Sequence, residues 1–129
     1  MPGTRAQSKN ITGYVSGYSS AAVTAAQVLN EFVAVAFGRL TGIKFLAVTA
    51  GTGGANTVGD VLVNGTSIWA AAGNKPTLLA TATGEFANAT PDPGKGSLRP
   101  GDRVTLQINS VSSTGHARLM ATVAIEGND

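Results

Sequence analysis

The sequence predicts an all-β protein: a single jelly-roll-like β-sandwich of about eight strands with an extended N-terminal arm. Two long segments near the C-terminus alternate apolar and polar residues with a period of two, as strands with one buried face do. An Asn-Gly pair separates two further alternating runs, and turn-forming residues recur roughly every 8–12 positions. We therefore divide the chain into an arm over residues 1–10 and a sandwich over residues 11–129.

The two alternating segments predict the last two strands. In residues 103–109, Val104, Leu106 and Ile108 share one face, and polar residues occupy the other. In residues 118–126, the same pattern predicts an inner row of Leu119, Ala121, Val123 and Ile125.

A β-hairpin is predicted over residues 60–69, with Asn64 and Gly65 at the corners of a type I′ turn. This turn places Val61 opposite Ile68, so that both apolar side chains share one face of the hairpin. The turn chemistry and the hydrophobic pattern therefore agree.

Five other segments are predicted as strands from their composition. Residues 43–50 are rich in β-branched and aromatic residues, and we expect both faces of this strand to be partly covered. Residues 31–37 are also predicted to be a strand, whereas residues 21–29 fit either a helical stripe or an extended segment. Short or edge candidates are residues 10–19, 78–83 and 85–90.

Charged residues make up only 12% of the chain, against about 25% in an ordinary soluble domain. With 43% hydrophobic residues, this composition excludes charge-driven disorder. The formal charge is +2, but the basic residues are scattered, so no nucleic-acid partner is expected.

Membrane and secretory features are also missing from the sequence. The longest apolar stretch, residues 32–37, is far shorter than the ~20 residues of a bilayer-spanning helix, so no membrane partner is expected. Residues 1–10 carry positive charge without an apolar segment behind them, which predicts no secretory signal and synthesis in a cytoplasm. The absence of Cys excludes disulfides and thiol chemistry.

No catalytic or metal-binding constellation is predicted, so we expect the protein not to be an enzyme. His116, the single histidine, lies in a turn and is expected to be solvated. The carboxylates are dispersed, and Asp60 and Asp102 are expected to bind local backbone N–H groups at strand starts. The glycine-rich residues 51–55 lack the Lys and the helix of a phosphate loop, so no cofactor is expected.

The aromatic residues allow two interpretations. Trp69, Tyr14 and Tyr18 could form a sugar-stacking platform, as aromatic faces do in many β-sandwich modules. Alternatively, Trp69 is a core-edge or subunit-interface residue, because it directly follows a hairpin strand.

The missing charges are missing mainly from the outward positions of the predicted strands. Outward strand positions hold Ala, Thr, Ser, Asn and Gln, and residues 31–37 and 43–50 are apolar on both sides. Strands that are apolar on both faces need cover on both faces, and a single sandwich covers only one. We therefore expect a symmetric homo-oligomer with a charge-poor interface.

Three blocks of the sequence resemble a β-sandwich domain of tailed-bacteriophage virion structural proteins. They are the Gly/Thr loop at residues 49–57, the Asp-Val-Leu-Val-Asn-Gly-Thr-Ser-Ile hairpin at residues 60–68, and Leu-Arg-Pro-Gly-Asp-Arg-Val-Thr-Leu at residues 98–106. The order and spacing of these blocks, over residues 39–126, resemble those of capsid decoration (cement) proteins. The resemblance implies a jelly-roll trimer on the virion exterior, made in the host bacterial cytoplasm, that binds the major capsid protein and its own copies.

The resemblance also implies which segments make contacts, although the contact residues of the family are not part of any conserved sequence motif. We expect the arm and the loops at residues 51–57 and 91–97 to contact the capsid or neighbouring subunits, and the Ala/Thr-rich strand faces to self-associate. The predicted contact residues are Arg5, Lys9, Thr52, Asn56, Trp69, Pro91, Pro93 and Lys95. The alternative function is a carbohydrate-binding or receptor-binding module of a phage tail fibre or adhesin.

Overall fold

Two antiparallel β-sheets pack face to face in the computed structural model, which describes residues 11–87 and 90–127. The predicted all-β sandwich is confirmed, with ten strands in the described residues. The arm predicted at residues 1–10, with Arg5 and Lys9, lies outside them. The strands are β1 (Ile11–Ser19), β2 (Val28–Val33), β3 (Gly38–Thr49), β4 (Asn56–Val63), β5 (Thr66–Ser67), β6 (Thr77–Leu79), β7 (Gly84–Glu85), β8 (Ser97–Leu98), β9 (Arg103–Ser110) and β10 (Ala117–Gly127).

The first four long strands each pair with one of the last two strands of the chain. Sheet A has the order β1-β10-β3, and the short strands β7 and β8 pair with different parts of β3. Sheet B has the order β2-β9-β4, and β5 and β6 pair with β4. Because β1, β2, β3 and β4 alternate between the sheets, the core joins residues that are distant in the sequence. No described helix is long and apolar enough to cross a membrane.

The predicted inner rows of the last two strands are confirmed, apart from one end. The apolar rows of β9 and of the first half of β10 are fully buried. Ile125, however, is only partly buried. The register between β10 and β3 shifts there, because Ala124 pairs with Gly42 and Ile125 pairs with Leu40, which leaves Thr41 as an extra residue. This β-bulge interrupts the alternation on which the prediction of Ile125 depended.

The predicted hairpin forms as expected. Val63 pairs with Thr66, and Ile68 N donates a hydrogen bond of 3.0 Å to Val61 O. Asn64 and Gly65 have φ angles of 53° and 85°, the left-handed values that a type I′ turn requires.

Asp102 links the hairpin tip to the turn before β9. Its Oδ2 accepts a 2.8 Å hydrogen bond from Arg99 N, and its Oδ1 accepts one of 2.9 Å from Asn64 Nδ2. The expected binding of Asp102 to a local backbone N–H is therefore confirmed. The Arg99 backbone N–H, followed by the Asn64 amide, holds the pKa of Asp102 below its usual range.

We expect Asp102→Asn to destabilise the fold slightly at neutral pH, because the charge that these donors stabilise is lost. A lowered folded-state pKa contributes stability that is present above the unfolded pKa of about 3.9 and is lost as the pH falls through the folded pKa. Urea unfolding of both proteins should therefore show a difference that narrows below about pH 4. A difference that stays constant into strong acid would contradict this assignment.

Strand β2 differs from its prediction at both ends. The strand predicted at residues 31–37 starts earlier, at Val28, and ends at Val33. Beyond Val33 the ladder with β9 ends at the Gly101-Asp102 turn, where Ala34 N donates to Asp102 O at 2.8 Å and Gly101 N donates to Ala34 O at 2.7 Å. Residues 34–37 therefore form the crossing to sheet A, and the prediction of strand there is wrong.

The ambiguous residues 21–29 form no helix. Ala26 has a φ of 63°, which a right-handed helix excludes. Its N–H donates to Ile108 O, and Ile108 N donates to Gln27 O, so this segment is held against β9. These long-range hydrogen bonds override the helix propensity of the Ala-rich sequence.

Strand β3 has only one covered face within the chain. Its side chains alternate between buried and exposed, and Leu46 and Val48 are 37% and 42% exposed on the outer surface. The expectation of partial cover on both faces is therefore wrong for the isolated chain. The short candidate at residues 78–83 overlaps β6 only at residues 78 and 79, and the described part of the candidate at residues 85–90 overlaps β7 only at Glu85.

The core between the sheets is closely packed around aromatic residues. Phe45 of sheet A is fully buried and lies over Gly59 of sheet B, where an added Cβ would come within 2.7 Å of the ring. Phe86 packs beside Phe45, with ring centroids 5.8 Å apart. The absence of a side chain at Gly59 therefore determines how closely the two sheets approach each other.

Candidate functional site

The outer surface of sheet A carries exposed apolar side chains that we call the sheet A face. Strand β10 lies at its centre, and the register aligns Tyr18 of β1, Met120 of β10 and Leu46 of β3 in one row across the sheet. The next row holds Ser16 and Thr122, whose hydroxyl oxygens are 3.0 Å apart. The face comprises Tyr14, Ser16, Tyr18, Leu46, Val48, Met120 and Thr122.

A second exposed apolar cluster lies where the chain crosses from sheet B to sheet A. Val33, Val35 and Phe37 are 58%, 90% and 59% exposed, and we call them the apolar corner. An exposure of 90% means that Val35 projects from the surface with almost no cover from its own chain. The sheet A face and the apolar corner together hold seven of the nine large hydrophobic residues that are exposed in the described part of the chain.

Two of the basic residues beside the sheet A face form ion pairs. Lys44 Nζ contacts the carboxylate of Glu85, and Arg39 Nη2 lies 3.0 Å from Glu126 Oε1. Arg118, exposed on β10, adds one positive charge. The surface therefore has no strong field of one sign, and burying its centre costs little desolvation of charge.

The outer surface of sheet B carries a buried ion pair. Asp60, in the middle of β4 and not at its start as predicted, is buried, and its Oδ2 lies 3.0 Å from Lys75 Nζ. Its Oδ1 accepts hydrogen bonds from Val61 N at 2.8 Å and Ser67 Oγ at 2.7 Å. The segment that connects β5 to β6 thus covers this part of sheet B with a buried ion pair, which the sequence analysis missed.

The outer edge of β1 is covered along its second half. Asn30 Nδ2 donates to Ser16 O at 2.7 Å, and Gln27 Nε2 donates to Ser19 Oγ at 3.1 Å. At Gly17, an added Cβ would lie 2.8 Å from the backbone of Leu29. A second chain therefore cannot extend the sheet along this half of β1.

The loops predicted to make contacts lie at opposite ends of β3. Thr52 and Asn56 are exposed after the C-terminal end of β3, although Asn56 itself begins β4. Pro93 and Lys95 are exposed, and Pro91 partly so, beside its N-terminal end, where Leu40 N donates to Gly96 O. An open groove of about 460 Å³ lies there, between β3 and residues 91–97. About nine residues of strand, roughly 30 Å, separate the two loops, so they do not form one site.

Trp69 is a core residue and not a surface contact. Its side chain is 2% exposed, and its Nε1 donates a 2.7 Å hydrogen bond to Thr90 O. A direct capsid or subunit contact through the indole is therefore excluded in this conformation. Tyr14 and Tyr18 remain exposed on sheet A, so the structure does not bring the three rings together as a sugar-stacking platform.

His116 is fully buried, which contradicts the expectation of a solvated turn residue. Its Nε2 donates to Ala82 O at 2.8 Å, and its Nδ1 lies 2.8 Å from Thr57 Oγ1. Val23 N donates to the His116 carbonyl at 2.8 Å, so a segment distant in sequence is held against residue 116. With both ring nitrogens engaged and no solvent access, His116 has the environment of a structural residue.

The described residues contain no group of three or more His, Asp or Glu side chains that could hold a metal ion. Comparison of the chain with protein-family models, with curated proteins and with solved structures finds no match. The functional assignment therefore depends on the surfaces of the chain itself.

Proposed function

We propose that this protein is a virion structural protein of a tailed bacteriophage, a capsid decoration (cement) protein on the exterior of the assembled head. The observation that carries the proposal is the pair of exposed apolar surfaces, the sheet A face and the apolar corner. Exposed apolar patches of this kind mark protein–protein interfaces.

The mechanism is mass action on the assembled shell. A ligand that binds the assembled capsid but not its free subunits stabilises the assembled state by its binding free energy. The partners are the major capsid protein and further copies of this chain, with the trimer as the expected oligomer. No catalytic group is needed for this role.

The loops at residues 51–57 and 91–97 suit contacts with the capsid. Thr52, Asn56, Pro93 and Lys95 are exposed, and their separation along β3 allows one copy to touch two neighbouring capsid subunits. Arg5 and Lys9 of the arm are further proposed contacts. The carbohydrate-binding alternative loses its main support, because Trp69 is buried away from the two tyrosines.

Co-sedimentation with purified heads of the bacteriophage whose genome encodes the chain tests this function. We expect the full chain to bind DNA-free heads at saturable sites, and deletion of residues 2–10 to weaken binding on the order of tenfold, because one of several linked contacts is lost. Far-UV circular dichroism should show that the shortened chain keeps its β-sandwich. Failure of the full chain to bind heads, or its saturable binding to a glycan array instead, would contradict the proposal.

A further inference from the structure

We propose that Asn64 is a deamidation site that the fold protects, and that Asp102 provides the protection. Asn64-Gly65 is the single Asn-Gly pair of the chain. Asparagine deamidates fastest before glycine, because glycine has no side chain to hinder attack by its own backbone nitrogen. The inference goes beyond the proposed function and does not depend on it.

The reaction needs only the two residues of the turn and water. The backbone nitrogen of Gly65 attacks Cγ of Asn64, and a new C–N bond forms. The Cγ–Nδ2 bond breaks, and ammonia leaves with the proton that the Gly65 nitrogen gives up. Water then opens the resulting succinimide at one of its two carbonyls, which leaves an aspartate or an isoaspartate at position 64.

Neither burial nor crowding protects this turn. Asn64 and Gly65 are both exposed, so water reaches the reacting atoms. A Cβ added at Gly65 would meet only the end of the Arg103 side chain, at 3.8 Å, so the space beside the glycine is open. Resistance of the folded chain to deamidation therefore has to come from the way in which the Asn64 side chain is held.

Both ends of the Asn64 amide are bound at the start of β9. Its Nδ2, the leaving group of the reaction, donates to Asp102 Oδ1 at 2.9 Å, and its Oδ1 accepts from Arg103 N at 2.9 Å. The backbone of Asn64 is held by the same strand, since Asn64 N donates to Arg103 O at 2.7 Å. For Cγ to bond to the Gly65 nitrogen, the amide has to turn away from residues 102 and 103. The two side-chain hydrogen bonds therefore oppose the first step of the reaction.

Asp102 supplies the charged partner of the amide. The Arg99 backbone N–H, followed by the Asn64 amide, holds the pKa of Asp102 below its usual range, so the carboxylate is ionised at neutral pH. An ionised acceptor forms a stronger hydrogen bond than a neutral one. After deamidation, an oxygen would replace Nδ2 beside Asp102 Oδ1, and two carboxylates at that distance repel each other. A modified chain therefore loses the link between the hairpin tip and the turn before β9.

Deamidation rates of the full chain at neutral pH test this assignment, measured by peptide mass spectrometry with detection of isoaspartate. Hydroxylamine cleaves the chain at the succinimide, so fragments 1–64 and 65–129 identify the site. We expect Asn64 in the folded wild type to react at least about tenfold more slowly than in guanidinium chloride, because local opening must come first. Folded Asp102→Ala should react roughly tenfold faster than the wild type, because a hydrogen bond to a charged group is lost. Asp102→Asn keeps an uncharged acceptor and should show a smaller increase.

Asp92→Ala is the matched control. Asp92 Oδ2 accepts a 2.6 Å hydrogen bond from Ala70 N in a different loop, so this variant loses a similar carboxylate contact away from the hairpin tip. Asn64 should deamidate at the wild-type rate in this variant. Circular dichroism and urea midpoints show which variants remain folded.

Three outcomes would overturn the inference. They are equal rates at Asn64 in the folded and unfolded wild type, a folded Asp102→Ala chain that is as resistant as the wild type, and equal acceleration by Asp102→Ala and Asp92→Ala. If Asp102→Ala does not fold, Asp102→Asn takes its place, and a wild-type rate in that variant contradicts the role of Asp102. None of these outcomes depends on whether the chain binds heads.

Discussion

Replacing Trp69 with Ala is expected to lower the free energy of unfolding by about 3–5 kcal/mol. The indole is 2% exposed, so its removal opens a large cavity in the core. The substitution also removes the donor for the Thr90 carbonyl, which accepts the 2.7 Å hydrogen bond from Nε1. Because single domains are stable by only about 5–15 kcal/mol, this is a large share of the total.

Trp69→Phe is the matched control. It keeps most of the ring volume and loses the N–H donor, so we expect a smaller loss of about 1–2 kcal/mol. Urea unfolding should be followed by far-UV circular dichroism, since Trp69 is the single tryptophan of the chain and its fluorescence disappears in both variants. A loss below about 1 kcal/mol for Trp69→Ala would indicate a surface position, as a subunit-interface role for the indole requires.

Replacing Lys75 with Met is expected to cost about 3 kcal/mol of unfolding free energy, at the lower end of the range for breaking a buried ion pair. The Asp60 side chain is 4% exposed, and that of Lys75 is 14% exposed. Met preserves the packing of the Lys stem but leaves the Asp60 carboxylate buried without its counterion. The hydrogen bonds from Val61 N and Ser67 Oγ remain, and they keep the loss from being larger.

Lys44→Met provides a control with the same change of side chain. Lys44 pairs with Glu85 on the outer surface of sheet A, where the two side chains are 69% and 51% exposed. Exposed pairs contribute about 0–1 kcal/mol, so this variant should unfold close to the wild type. If Lys75→Met and Lys44→Met lowered the free energy of unfolding in urea by the same amount, the Asp60–Lys75 pair would not be buried in solution.

Strands β9 and β10 and the hairpin were predicted correctly, because their structure depends on residues close together in the sequence. Alternation identified the buried rows of β9 and β10, and the Asn64-Gly65 pair identified the hairpin, because a type I′ turn requires left-handed backbone at both positions. The same reasoning failed at residues 34–37. Their β propensity predicts an extended backbone, but it contains no information on whether a neighbouring strand is present.

Other errors arose from contacts between distant parts of the chain. The burial of His116 depends on Val23 and Thr57, which no pattern around residue 116 reveals. The departure of Ile125 from its inner row depends on the bulge at Thr41 in a different strand. Such errors are expected in a fold whose first four long strands all pair with the last two strands of the chain.

The sequence predicted that an exposed surface would be apolar and poor in charge, but not where that surface would lie. The low charge content predicts apolar strand faces that an assembly would bury, and Met120 is an outward position in the predicted pattern. The alignment of Tyr18, Met120 and Leu46 required the register of three strands that are remote in sequence. The exposure of the apolar corner could not be predicted, because residues 31–37 read as one strand with cover on both faces. In the structure the strand ends at Val33, and Val35 and Phe37 are exposed beyond it.

The central position of β10 in sheet A has a consequence for biosynthesis. Ser16 and Thr122 stand side by side in the sheet but are 106 residues apart in the chain. At about 5–20 residues per second, a ribosome makes β1 and β3 roughly 5–20 s before the strand that must lie between them. The sheet A face does not exist on the nascent chain during that interval. Copies on one polysome therefore cannot join through it until each has almost completed translation, which separates folding from assembly in time.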